Sequence, residues 1–322
     1  MLHTSLCDLV GIEAPVIQAG MSVFTSPELV AAVSNGGGLG SLGAWQRPAD
    51  QLERDLGSVR ERTNRPFAVN HVVPDLDDAG LALTLKAGPA VISFALDDPG
   101  ELVKRAHDAG SLVMHQVTTA AQASQAAERG VDIIVAQGGE AGGYGGSVAA
   151  LPLVPQVVDA VSPAPVVAAG GIADGRGLAA ALALGAAGVN IGSRFLASRE
   201  APIPAGWKQA IVEAPSEAFV QVDFLNDIRP VPGAVGYGTR VRARRSDFVD
   251  TWQQRRDEIK RNPNGVLAEL GAAMGEGRMH ELVAVAGQSS GLVRDVLPAA
   301  EVVRTTVDEA ERALRGAAKI IT

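Results

Sequence analysis

Eight short apolar runs, separated by segments of helical character, predict an α/β chain of the (β/α)8 TIM barrel class. Two observations favour the barrel over a doubly wound open sheet, which also alternates strands and helices. The run count is eight, and polar or glycine residues recur at the C-terminal ends of several runs, where barrels build their sites. The organising stretch is the sixth run, Val131 to Ala136. It is rich in β-branched residues, as suits a strand buried on both faces, and it opens through Gln137 into Gly138, Gly139, Gly142, Gly143 and Tyr144.

In order, the runs are Pro15–Gly20, Gly38–Ala44, Pro66–Val72, Ala90–Leu96, Leu112–Thr118, Val131–Ala136, Pro165–Gly171 and Gly188–Arg194. Ser26 before Pro27 reads as a helix cap followed by proline at the first helical position. Further helices are expected over Pro48–Arg62, Pro99–Ala109, Ala120–Arg129 and Gly177–Leu184, with a last one near Val303–Ala318. Residues 201–275 break the alternation with Pro202, Pro204, Pro215, Pro230 and Pro232 and with charged helical segments such as Asp247 to Lys260. They read as a small, mainly helical insertion that covers the barrel mouth, the barrel itself being residues 1–200 and 276–322. Arg240, Arg242, Arg244 and Arg245 within it read as a solvated helix start, with a phosphate site as the alternative.

Composition narrows the function classes. Of 322 residues, 47% are hydrophobic and 20% charged, and the formal charge of −8 argues against non-specific nucleic-acid binding. Cys7 is the single cysteine, so no internal disulfide forms. It reads as structural, because no base partner is evident. No basic start with an apolar core, no membrane-length apolar run and no HxxxH or CxxC spacing occurs. The expectations are a cytoplasmic enzyme, no membrane and no metal.

The strand ends carry the chemistry. Gly170 and Gly171 end the seventh run, and Gly192 and Ser193 end the eighth. In barrels the loops after these two strands bind phosphate through backbone N–H groups, and the Ser193 hydroxyl adds a donor. Asp174 suits capping of the next helix. Asn70, Gln116 and Gln137 can donate and accept in the plane of a heterocycle, while Ala19, Gly20 and Met21 offer main-chain groups to its reactive edge. A phosphate cup beside a planar polar ring points to flavin mononucleotide (FMN). No GxGxxG opens a helix after a strand, so a Rossmann site is not indicated.

These residues carry a resemblance. PVIQAGM at Pro15–Met21, PFAVN at Pro66–Asn70, QGGEAGG at Gln137–Gly143, the long segment Ala168–Leu196 and AGQSSG at Ala286–Gly291 are similar to the nitronate monooxygenase family. That family also holds NADH:quinone reductases and flavin-dependent enoyl-ACP reductases. The resemblance implies an FMN-bound barrel with a helical substrate domain. By position, Met21, Asn70, Gln116, Gln137, Gly142, Gly171, Gly192 and Ser193 fall where the family contacts FMN. The whole expected cofactor set adds Ala19, Gly20, Gly143, Ala169 and Gly170. Where Gln116 stands, a Lys is common. Where Tyr144 stands, the family usually has the His taken as its base. A phenol of pKa about 10 is ionised about one part in a thousand at pH 7, so reaching the phenolate costs about 4 kcal/mol. Tyr144 therefore suits hydrogen bonding to an oxyanion or proton donation, and His71 and His115 are the alternative bases. The leading expectation is oxidation of an alkyl nitronate with O2. The rivals are an NAD(P)H-dependent reductase of quinones or enoyl thioesters and a flavin-binding protein without turnover. A homodimer is an open assembly.

Overall fold

The computed structural model describes residues 2–228 and 238–320; Pro230 and Pro232 lie outside the described residues. All eight apolar runs form strands, each close to its expected bounds: β1 (Val16–Gln18), β2 (Gly40–Gly43), β3 (Phe67–Val72), β4 (Val91–Ala95), β5 (Leu112–Val117), β6 (Ile133–Gln137) and, after a short β7 (Gly143–Gly145), β8 (Val166–Ala169) and β9 (Gly188–Ile191). They pair in parallel in the order β1-β9-β8-β6-β5-β4-β3-β2. Each strand thus lies beside its successor in the eight, and the bridge Ile17–Leu39 closes the ring.

The closing seam needs a substitute for ladder bonds. Gln18 N–H donates to Leu39 O at 2.9 Å, and Leu39 N–H to Val16 O at 2.9 Å. One step further, the Gln18 side chain acts as a peptide group. Its Oε1 accepts from Ser41 N–H at 3.0 Å and its Nε2 donates to Ser41 O at 3.1 Å, with Gln18 fully buried.

Strand alternation then sorts the side chains. Ile17, Leu39, Ala68, Val91, Met114, Ile133, Val135, Val167 and Ala169 form one cluster in the lumen. Ile92, Phe94, Val113, Ile134, Val166, Val189 and Ile191 face outward into a larger cluster with the helices. A first helix, α1 (Ser5–Val10), contributes Leu6, Cys7 and Val10 to the lumen cluster, together with Ile12. It stoppers the barrel at the N-terminal ends of the strands. Leu6 Cδ2 comes so close to Gly188 that a Cβ there would lie 2.6 Å away. Cys7 is 1% exposed in this stopper, the structural place expected of it.

The connecting helices are α2 (Pro27–Asn35), α3 (Ala49–Arg62), α4 (Asp78–Ala87), α5 (Leu102–Asp108), α6 (Ala120–Glu128), α7 (Ala150–Val161), α8 (Gly175–Ala183) and the short α9 (Ser193–Leu196). Ser26 caps α2 by accepting from Leu29 N–H, and Asp174 caps α8 through Arg176 and Gly177 N–H. Next come α10 (Ala205–Glu213), β10 (Phe219–Val222), α11 (Phe224–Ile228), β11 (Arg240–Arg244), α12 (Asp247–Gln254), α13 (Arg256–Arg261), α14 (Asn264–Gly275) and α15 (Met279–Leu282). The closing helix α16 (Ala299–Ala318) packs on α8 and α2.

The segment after residue 200 differs from its sequence reading in one respect. It carries two strands, and β10, β11 and β7 form an antiparallel three-stranded sheet. The arginine cluster does not start a helix: Arg240, Arg242 and Arg244 lie on β11, two residues apart and so on one face of the strand. Trp207 of α10 meets Phe24 edge-on, with centroids 5.0 Å apart, and anchors this part on the loop after β1.

Gln18→Leu should lower stability by about 2 kcal/mol or more, because Ser41 N–H and C=O would be left buried without partners. Denaturant unfolding measures it. A loss below about 0.5 kcal/mol would show that the seam does not depend on the amide.

Candidate active site at the barrel mouth

Register and burial place the polar strand residues in the lumen. Asn70 pairs with Ser93 and, two residues on, Val72 with Ala95, so all four share the inner face. Asn70 Nδ2 donates to Ser93 Oγ at 3.2 Å. Gln116 Nε2 donates to Gln137 Oε1 at 3.0 Å. Gln137 lies beside Ala169, and Ala169 beside Asn190. Gly20 lets the first loop close over this layer, for a Cβ there would lie 2.3 Å from Asn70 Cβ.

The rim is strained. Ser22 (φ 52°), Gln46 (φ 61°) and Leu96 (φ 74°) are the described non-glycine residues with positive φ, and they sit in the loops after β1, β2 and β4. Such conformations cost of order 1–3 kcal/mol each and cluster where a loop must hold a ligand.

The loop after β6 is held from both sides. Arg242 is buried, and its guanidinium donates to Gly139 O from Nη2 (2.7 Å) and Nε (3.2 Å) and to Phe219 O from Nη1 (2.7 Å). Burial pushes its pKa down, and the Glu140 carboxylate pulls it back up. Glu140 in turn accepts from Ala150 N–H at the start of α7, at 3.0 and 3.1 Å. The segment 286–288 packs on top: a Cβ on Gly142 would lie 2.6 Å from Ala286 C.

Tyr144 sits in β7, opposite Val241 of β11. It packs with Trp45 over Val72, Ala95 and Leu96, on the lumen-facing row just beyond Asn70 and Ser93. The two rings meet edge-on with centroids 6.3 Å apart. Trp45 Nε1 donates to Asp75 Oδ2 at 2.6 Å. The Tyr144 ring therefore packs at the mouth end of the lumen row.

The two alternative bases are corrected by strand parity. His71 pairs with Phe94, and Phe94 with His115, so all three lie on the outer row. Thr84 Oγ1 of α4 donates to Gly80 O, which leaves it to accept from His71 Nε2–H at 3.0 Å. His115 Nδ1–H donates to Phe94 O at 3.1 Å. Burial holds each ring's pKa down to about 4. Both are neutral rings behind the strands, turned away from the mouth.

The remaining expected positions fit a flavin phosphate and ring in part. Gly171 (φ 74°) and Gly192 leave space, with a Cβ on Gly192 reaching Met21 Sδ only at 3.6 Å and Ala19 Cβ at 3.9 Å. Nothing lies within 4 Å of a Cβ built on Gly143. At Gly142 and Gly170 the Cβ direction is filled by backbone, Gly170 by Gly138 O at 2.7 Å, so glycine there is also required for the loops to pack. Ser193 Oγ accepts from Gly287 N–H at 2.8 Å and keeps its own hydrogen to donate.

Three features were not singled out from sequence. Asn190 Oδ1 and Ser41 Oγ are buried lumen atoms with no hydrogen-bond partner among the described residues, as a polar ligand above them would explain. The signal for Asn190 was a lone amide inside the apolar run GVNI. Trp45 carried no local signal, and Arg242 was read only as one of an arginine cluster; both roles come from segments far away in sequence.

A family model described as "Nitronate monooxygenase" matches residues 3–82 and 76–309. The chain is 42% identical over 217 residues (66% of this chain, 61% of the relative) to "(3aS,4S,5R,7aS)-5-hydroxy-7a-methyl-1-oxo-octahydro-1H-indene-4-carboxyl-CoA dehydrogenase" of Mycobacterium tuberculosis. It is 44% identical over 205 residues to the protein of the same description from Rhodococcus jostii, covering 63% of this chain and 58% of that one. The chain thus spans about three fifths of the length of these two relatives. A "Probable nitronate monooxygenase" of Staphylococcus saprophyticus is 30% identical over 311 residues, 81% of this chain and 84% of that one. Among solved structures, FabK from Thermotoga maritima superposes with a TM-score of 0.88 at 30% identity, covering 100% of both chains.

Two predictions follow from the geometry. The unfolded chain's histidines titrate near 6.5, whereas His71 and His115 stay neutral in the fold to about 4. Between those values only the unfolded state takes up these protons, so stability falls as pH drops through the window, by about 1.4 kcal/mol per pH unit for each ring. His71→Gln/His115→Gln should melt with a shallower pH dependence between pH 6.5 and 4.5. An unchanged slope would mean the rings protonate in the folded protein. Separately, Gly142→Ala should cost roughly 1–3 kcal/mol by overpacking, whereas Gly192→Ala should keep the melting temperature of flavin-free protein and lower flavin retention. The reverse pattern would relocate the phosphate cup.

Proposed function

The chain belongs to the nitronate monooxygenase family of flavin-dependent oxidoreductases, and we propose that its member chemistry here is FMN-dependent hydride exchange with an acyl thioester of the coenzyme A type. The observation that carries this reading is Tyr144, packed with Trp45 over Val72 and Ala95 on the lumen row just beyond Asn70 and Ser93, with both nearby imidazoles turned outward. A neutral phenol is a donor, and the oxygen it best serves is an acyl carbonyl that gains negative charge during reaction. The relatives of highest identity given above, described as dehydrogenases of a carboxyl-CoA, support the same class.

FMN, when bound, accepts or supplies the hydride. Gly171, Gly192 and Ser193 would hold its phosphate through N–H groups and the Ser193 hydroxyl. Asn70, Gln116, Gln137 and Asn190 would meet the ring's polar edge, with the main chain of Ala19 to Met21 at its reactive side. Gln116 leaves that edge without a cation. Tyr144 holds the acyl oxygen and keeps its proton, and Trp45 supplies apolar wall. Residues 201–275 cover the substrate, and Arg242 fixes the cover to the glycine loop. NAD(P)H is the electron donor where the reaction runs as reduction.

A second reading, oxidation of an alkyl nitronate with O2, is favoured by the family model and by the Staphylococcus saprophyticus relative that covers most of the chain. A preformed nitronate gives electrons without losing a C–H proton, so it too suits a mouth without an imidazole.

Anaerobic stopped-flow separates the readings. Flavin bleached by a saturated acyl-CoA, or NAD(P)H-reduced flavin reoxidised by an enoyl-CoA, supports the first. Nitrite release from a nitronate in a parallel aerobic assay, with no response to any thioester, sinks it. Tyr144→Phe should then lower kcat for the thioester by roughly 10²- to 10³-fold with flavin content unchanged. Under the second reading, Tyr144→His should raise kcat/KM for the neutral nitroalkane by roughly 10²- to 10⁴-fold.

A further inference from the structure

Beside the expected phosphate cup, on its outer side, lies a second cavity of about 900 Å³. Its walls are the loop after β8, Arg194 of α9, residues 292–297 and one face of α16. The volume lies within the usual range of small-molecule sites, roughly 300–1,000 Å³. Arg194 in its lining directly follows Ser193 on α9.

The lining carries four arginines and four carboxylates, and they are not equivalent. Arg194 is buried and bound twice to Asp295, from Nη2 to Oδ1 and from Nη1 to the main-chain O, both at 2.7 Å. This fixes the loop that forms the cavity wall. Arg176 is held by Asp174 at 2.5 Å. Glu309 accepts from Gly175 N–H at 3.1 Å. Glu309 and Glu301 both act on the Arg194 side, where their charge favours its guanidinium. Arg294 and Arg312 remain: both are exposed at the cavity, and neither has a carboxylate within ion-pair distance among the described residues. Two unpaired guanidinium forks lining one cavity suit a phosphate. The carboxylates in the same lining suit ribose hydroxyls or an exocyclic amine, and they make it a poor host for a bare polyanion.

We propose that this cavity binds an adenosine phosphate, with the phosphates on Arg294 and Arg312 and a sugar or base donor on Glu301. Two reactants of the proposed oxidoreductase share that moiety: the tail of a coenzyme A thioester, phosphorylated at the ribose 3′ position, and the adenosine half of NADPH, phosphorylated at 2′. The role of the cavity in turnover rests on the thioester or NAD(P)H reading; its binding chemistry does not.

Calorimetry on the flavin-loaded protein tests it, with adenosine 3′,5′-bisphosphate and adenosine 2′,5′-bisphosphate as probes. At least one should bind, and Arg294→Ala/Arg312→Ala should weaken it roughly tenfold or more, since the variant removes two charge-assisted contacts. Arg294→Lys should keep part of the affinity. Preference for the 3′ compound assigns the cavity to a thioester tail, and preference for the 2′ compound assigns it to the electron donor. Binding lost in the double variant without turnover of any thioester or NAD(P)H upholds the cavity and overturns the reading of the mouth. Failure of both probes to bind, or equal binding by the double variant, overturns the inference.

Discussion

A parallel strand points its side chains alternately inward and outward, and in a closed barrel that parity decides what the mouth is made of. Asn70 and His71 are neighbours in sequence, as are His115 and Gln116. The inward member of each pair is an amide at the lumen, and the outward member is an imidazole sealed under helices. A shift of one residue in register would put both imidazoles over the site and bury the amides against α4 and its neighbours. The seam at Gln18 fixes that register where the ladder between β1 and β2 is shortest. The chemistry open to the site is therefore set by closure as much as by composition.

The same closure leaves the long loop after β6 to be organised from outside the barrel. Four glycines in six positions cannot order themselves at low entropic cost. Arg242 supplies the missing constraint from another strand. Burying a guanidinium is costly, and it is tolerated here because three N–H groups meet main-chain oxygens that no ladder uses. Glu140, one residue away from Gly139, keeps the charge in place and ends on the first turn of α7. Loop, insertion sheet and crossover helix thereby hold one another, and Tyr144 takes its position from all three.

Much of this was legible beforehand. Apolar runs bounded by turn residues gave all eight barrel strands, because strands buried on both faces leave an unbroken hydrophobic text. Strand-end amides and glycines located the mouth, although periodicity alone could not say that His71 and His115 point away. That distinction needed the register, which depends on which residue pairs with which. The small antiparallel sheet was not legible. β7 is Gly-Tyr-Gly with no apolar run, and its partner β11 lies about a hundred residues later. In RVRAR the charges dominate the pattern, and only the sheet shows that the middle arginine is the buried one. Likewise, Gly142 and Gly170 look alike to Gly171 and Gly192 in sequence, whereas backbone from other segments fills the first two and not the second two.

The stopper formed by Leu6, Cys7, Val10 and Ile12 has a kinetic meaning. With its floor sealed, the barrel is a cul-de-sac, and every molecule that touches the flavin passes through the same rim beneath Trp45 and Tyr144. The flavin's two half-reactions then compete for one doorway. Large reactants of either half-reaction therefore share one entrance, and the shape of that rim bears on both at once.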